Sequence, residues 1–124
     1  MALQSLRYYI DLIEDMQAAA PWGITKTAFF DESFAAMLTK VPDLRDRLKK
    51  FIEVKSPNPM MNRFGKHDSP FTNDQLRGIL HCHLAPDVIL LYRLTNRTIQ
   101  LMMVCQHADI EGKRLKQTIR RLAV

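Results

Sequence analysis

Only two cysteines, Cys82 and Cys105, occur in the 124 residues. That is too few for the disulfide framework of a small secreted domain, so both read as reduced core thiols. No apolar run is long enough to cross a bilayer, and Asp11, Glu14 and Asp15 interrupt residues 1 to 20, where a secretory leader would be apolar. The expectation is a cytoplasmic protein with no membrane partner. Internal repeats and low-complexity tracts are missing as well, which excludes repeat architectures and leaves no disordered bias. What is present, 47% hydrophobic and 25% charged residues, suits one domain over residues 1–124 with an apolar core.

Charge is unevenly spread. Residues 1–22 set Arg7 against Asp11, Glu14 and Asp15, whereas the last segment carries Lys113, Arg114, Lys116, Arg120 and Arg121 against Asp109 and Glu111. With a net charge of +5, such a cationic end favours an acidic partner, either nucleic acid or an acidic protein. A merely solvated helix face accounts for the same residues.

Leu3, Leu6, Ile10, Ile13 and Met16 recur at three- and four-residue steps, which predicts an amphipathic helix over residues 3–19, ended by Pro21 and Gly23. Such a stripe must be buried, and the short connection favours packing within its own chain and a monomer. Ile24 to Phe29 alternates like a short strand, Asp31 offers an N-cap to a helix carrying Phe34, Met37 and Leu38, and Leu44, Leu48, Phe51 and Ile52 stripe a second helix behind Pro42. The stretch from Ser56 to Asn73 is rich in breakers and long for a connection, which marks it as a functional loop. Gly78–Leu84, Val88–Leu94 and Ile99–Val104 then read as three antiparallel strands joined at Pro86-Asp87 and Thr95-Asn96-Arg97, with a closing helix at 109–122.

Three of the four histidines sit in this meander, in His81-Cys-His83 and Cys105-Gln-His107. Imidazoles on neighbouring strands can move protons, hold phosphate or bind a metal. For a metal the zinc spacings are missing, and alternation turns Cys105 away from the histidines, so no metal and no cofactor is expected. Cys105 as a nucleophile lacks a recognisable oxyanion site, and Met60, Met61, Met102 and Met103 read as core or loop packing.

The order of elements, together with His83-Leu-Ala-Pro86-Asp87-Val-Ile-Leu-Leu-Tyr92, resembles the RelE/ParE toxin superfamily, and within it the YafQ-like branch. The resemblance covers residues 23–110. It implies an α+β fold: a small antiparallel sheet with a helical pair before it, extended here by an N-terminal helix at 1–22 and by the basic helix at 109–122. It also implies a type II toxin, a ribosome-associated mRNA endonuclease with mRNA, the ribosome and an acidic antitoxin as partners.

On this resemblance the catalytic residues are His83, Asp87 and His107, with His67 as a looser match in the preceding loop. The chemistry fits these types: cleavage by the adjacent 2′-hydroxyl needs a base, an acid for the leaving 5′ oxygen and positive charge at the phosphate. Active members place an arginine where this chain has Met103, so Lys66, Arg77 or Arg93 would supply that charge, and Lys113, Arg114 and Lys116 would touch RNA. The alternative is a catalytically inactive protein of the same fold that acts by binding a nucleic acid or a protein.

Overall fold

The computed structural model describes residues 12–13, 16–17, 21–65, 68–71 and 76–122. Most of the expected N-terminal helix therefore lies outside the described residues. Its four described positions form β1 (Leu12–Ile13) and β2 (Met16–Gln17), which pair in parallel.

Then come β3 (Gly23–Lys26), α1 (Ala28–Leu38), α2 (Leu44–Lys55), β4 (Ser69–Pro70), β5 (Leu80–Ala85), β6 (Val88–Thr95), β7 (Thr98–Cys105) and α3 (Arg114–Leu122). The sheet order is β3-β7-β6-β5-β4. The meander β5-β6-β7 is antiparallel as expected, but β3 joins the edge of β7 in parallel, so the sheet is mixed. The two strands lie far apart in the chain, with α1, α2, the loop after them and β4, β5 and β6 between them, which leaves β3 free to enter the edge of β7 in the parallel sense. Together these elements make the α+β class anticipated from the sequence.

Local chemistry sets the boundaries. The cap of α1 is Thr27 and not Asp31: its hydroxyl accepts from the Phe30 amide at 3.1 Å, because the strand ends where the Thr27 amide donates to the Leu101 carbonyl. Asp31 falls in the first turn and pairs with Lys26 at 3.0 Å. The β5–β6 turn is Pro86-Asp87, with Asp87 at φ 56, and the β6–β7 turn is Asn96-Arg97, with φ 48 and 59. Both are two-residue hairpin turns: Asn96-Arg97, with positive φ at both positions, is of the kind that matches strand twist, whereas Pro86-Asp87, with proline first and positive φ only at the second position, has the type II form. Helix α3 begins at Arg114, later than expected, because Gly112 at φ 57 separates it from a short 3-10 turn at His107–Ile110.

Each face of the sheet has its own core. Phe30, Leu44, Phe51, Cys82, Leu90, Tyr92 and Val104 are buried on the side of α1 and α2. Ile79, Ile89, Leu91, Met102, Met103 and Cys105 are buried on the other, against Ile110, Leu115, Ile119 and Leu122. Helix α3 thus lays its apolar stripe on the sheet and leaves Lys113, Arg114, Lys116, Arg120 and Arg121 exposed. Burial of each large apolar side chain contributes roughly 1.5–3 kcal/mol relative to exposure.

Two bulges break the ladders, and a side chain from the helical side closes each. In β7 the pairs Leu91↔Met103 and Tyr92↔Leu101 leave Met102 as the extra residue, so Met102 and Met103 both reach the α3 side. The Met102 carbonyl accepts from the Thr27 hydroxyl at 3.1 Å. In β5 the extra residue is Leu84, whose carbonyl accepts from Arg47 Nη1 at 3.0 Å.

Candidate functional site

The turn between β5 and β6 and the end of β7 meet at one end of the sheet. Proline at the first turn position and a residue tolerant of positive φ at the second fold Pro86-Asp87 into a tight reversal that leaves the Asp87 carboxylate outside it. That carboxylate faces the first residues after β7. Its Oδ1 accepts from the His107 backbone amide at 2.8 Å and from His107 Nδ1 at 2.6 Å, and its Oδ2 accepts from Gln106 Nε2 at 3.1 Å. The two His107 bonds and its charge, with help from Gln106, hold the Asp87 carboxyl below the usual carboxylate range.

With Nδ1 turned to Asp87, His107 directs Nε2 outward, where it lies 3.2 Å from His83 Nε2. One proton bridges the two rings, since one nitrogen must donate and the other accept. His83 is half-buried on β5, whereas the Asp87 and His107 side chains are 53% and 48% exposed, so the relay opens to solvent. A carboxylate that fixes an imidazole, which in turn meets a second imidazole, is an acid-base device open to substrate.

The structure thus brings together His83, Asp87 and His107. Lys66 and His67 lie outside the described residues, although their neighbour Asp68 is anchored in the core: it binds Lys55 Nζ and the Phe64 amide at 2.7 Å each and accepts from the Tyr92 hydroxyl. Burial pushes the Asp68 carboxyl up, but the bonds from Lys55, Tyr92 and Phe64 outweigh it and hold it low. Arg77 and Arg93 sit towards the opposite end of the sheet. Arg93 lies four residues along β6 from Ile89, the cross-strand partner of His83, or roughly 13 Å at the strand rise.

Met103 is 7% exposed and sits beside a groove of about 280 Å³ that also meets Lys40, Gln106, Asp109 and Arg114. Lys40 Nζ donates to Gln106 Oε1 at 3.3 Å, and Arg114 pairs with Asp109 at 3.0 Å. Gln106, Lys40 and Arg47 escaped the sequence reading. Gln106, one residue before a site histidine, carried a local hint, but only tertiary contact brings Lys40 and Arg47 here.

Cys105 requires a correction. It shares the histidine face, because His83 pairs with Ile89 and Ile89 with Cys105 across three strands. It remains 1% exposed, and burial, with Asp109 and Asp87 nearby, pushes its thiol up to about 12. No nucleophilic thiolate forms there at neutral pH. His81 packs flat on Phe71, with ring centroids 4.3 Å apart. Among the described residues no group of three or more His, Cys, Asp or Glu side chains could hold a metal ion.

No family model and no curated protein sequence matches the chain. Solved structures do. A chain of the E. coli DinJ–YafQ toxin-antitoxin complex aligns at TM-score 0.58 and 20% identity, over 74% of this chain and 99% of that one. A metal-bound toxin from Helicobacter pylori aligns at 0.59 and 21%, over 73% and 99%. A YoeB/ParE toxin from Agrobacterium tumefaciens aligns at 0.55 and 11%, over 68% and 98%. The fold is the RelE-like toxin fold. It has the form seen in YafQ, as the resemblance of the His83–Tyr92 segment implied.

Proposed function

We propose that this chain is a RelE/YafQ-like toxin of a type II toxin-antitoxin system, a cytoplasmic, ribosome-associated mRNA endonuclease built as one domain. The single observation that carries the reading is the relay from Asp87 through His107 Nδ1 to His83. Asp87 fixes the His107 tautomer with the proton on Nδ1 and leaves Nε2 as the acceptor, so His107 Nε2 takes the proton of the RNA 2′-hydroxyl. The freed oxygen attacks the adjacent phosphorus. The His83 ring, carrying a proton on Nε2, gives it to the departing 5′ oxygen, which leaves a cyclic phosphate. RNA enters between the rings and replaces their mutual contact. Where Met103 supplies no charge to the phosphate, Lys40 and Arg114 in the adjoining groove stand nearer the relay than Arg77 or Arg93 do. The basic face of α3 offers Lys113, Arg114 and Lys116 to RNA phosphates or to an acidic antitoxin.

Induced expression followed by primer extension on cellular mRNA tests this. New 5′ ends and growth arrest are expected from the natural chain, and His107→Ala should lower the cleavage rate by about 10²- to 10⁴-fold. Intact messages and unchanged growth at high expression reject the nuclease.

One observation favours a second reading, a RelE-fold binding protein without nuclease activity. Met103 lies where active members of the family place an arginine, and it is buried with Met102 on the bulge. For an inert natural chain, cleavage gained by Met103→Arg supports this reading.

A further inference from the structure

At the end of the sheet away from His83 and His107, a cavity of about 390 Å³ opens between the loop after α2 and the strands. Pro59, Met60, Met61, Pro70, Leu80 and Leu94 line it, with Arg63 contributing a cation beside the mutually paired Lys55 and Asp68. Met60 and Met61 are 74% and 75% exposed, more than any other large hydrophobic side chain among the described residues. Two adjacent thioethers left in water beside an apolar cavity mark a contact surface, and the flexibility of methionine suits it to an irregular partner.

The chain itself identifies the occupant. Residues 1–20 reach the fold at Trp22, whose amide donates to the Ser56 carbonyl at 2.8 Å, and Ser56 opens the loop that carries Pro59, Met60 and Met61. The next amide, of Gly23, donates to the Arg97 carbonyl at 2.9 Å, in the turn that follows Leu94. The N-terminal segment is thus tethered beside this cavity. It carries Leu3, Leu6, Ile10, Ile13 and Met16, and its Asp11, Glu14 and Asp15 outnumber its one cation, Arg7, opposite in sign to Arg63.

We infer that residues 1–20 dock their apolar side chains on Met60, Met61 and the cavity behind them, as an intramolecular cover. A short tether gives the segment an effective concentration of the order of millimolar, so docking within the chain outcompetes a second copy at ordinary protein concentrations. The site lies at the other end of the sheet from Asp87, so the inference stands apart from the nuclease reading.

The full chain labelled with carbon-13 at its methionine methyls tests this against the variant Leu6→Asp/Ile10→Asp/Ile13→Asp. The Met60 and Met61 signals should move to solvated positions in the variant, while those of Met37, Met102 and Met103 stay. Trypsin cleavage after Arg7 should rise about tenfold, because cleavage follows the undocked population. Met61→Asp disrupts the cavity from its other side at an exposed position and should free Arg7 as much, which serves if the triple variant fails to fold. Unchanged Met60 and Met61 signals, or equal trypsin rates in Met61→Asp and the natural chain, overturn the inference. So do signals that depend on protein concentration with a doubled mass in light scattering, which would assign the cavity to a second copy.

Discussion

Two carboxylates in this molecule each accept hydrogen bonds from three donors, and they lie in opposite surroundings. Asp68 is met by Lys55, the Phe64 amide and Tyr92, and its side chain is 1% exposed. Asp87 is met by the His107 amide, the His107 ring and Gln106, and its side chain is 53% exposed. Both are held ionised by their donors. The bonding is alike and the solvent differs, which separates the roles. A buried charge that loses its partners cannot turn to water, so the first set is costly to break and fastens the loop after α2 to the sheet. An exposed one can be resolvated at little cost, so the second set adds little to stability and is free to orient a ring that solvent and substrate can reach.

The widest separation between the two should come from Asp68→Ala. It leaves Lys55, 3% exposed, as an uncompensated buried charge and should cost about 3–5 kcal/mol in urea unfolding. Asp87→Ala in the same assay should leave the unfolding midpoint almost unchanged. Equal losses would erase the distinction.

Asp87→Asn makes the converse break. If the chain cuts RNA, an amide that no longer fixes the His107 tautomer should lower the rate at saturating RNA by about 10²-fold or more. The unfolding midpoint should barely move.

Tyr92→Phe sharpens the buried side, removing one of three donors while Lys55 and Phe64 still serve Asp68. A loss of about 1 kcal/mol, read by chemical denaturation, is expected. A loss as large as that of Asp68→Ala would mean that the network has no redundancy.

The smallest effect is expected in mild acid. The folded pKa of Asp68 is depressed, so its contribution is present above the ordinary carboxylate pKa near 3.8 and is lost as pH falls through the lower folded value. Natural chain and Asp68→Asn should therefore differ least in stability at the acid end of a titration and by a constant amount above about pH 5. A difference that instead widened as pH fell would contradict the sign of the shift.

Much of the frame could be read directly from residues near in sequence. Pro86-Asp87 and Asn96-Arg97 announced their hairpins because turn geometry is fixed by adjacent backbone angles. The stripes Leu44, Leu48, Phe51, Ile52 and Ile110, Leu115, Ile119, Leu122 announced their buried faces because period and polarity are local quantities. The His83–Tyr92 segment, by its resemblance, also implied a meeting of His83, Asp87 and His107, which the hairpins then deliver.

Tertiary structure alone decided the rest. Periodicity carries no information about which edge a strand joins, so the parallel pairing of β3 with β7 was not legible. Nor were the bulges at Met102 and Leu84, since a ladder's register depends on both strands and on Thr27 and Arg47 from outside it. Nothing local marks Lys55 for burial, yet it is buried, because a lysine enters a core only where a carboxylate waits, and Asp68 arrives from another segment. Lys40 reaches Gln106 across 66 positions of chain. The sequence by itself determined which segments turn, extend or coil, since those preferences are set within a few bonds. Which charges meet was decided by the packed fold, since the interaction of charges depends on distance and solvent and not on their separation along the chain.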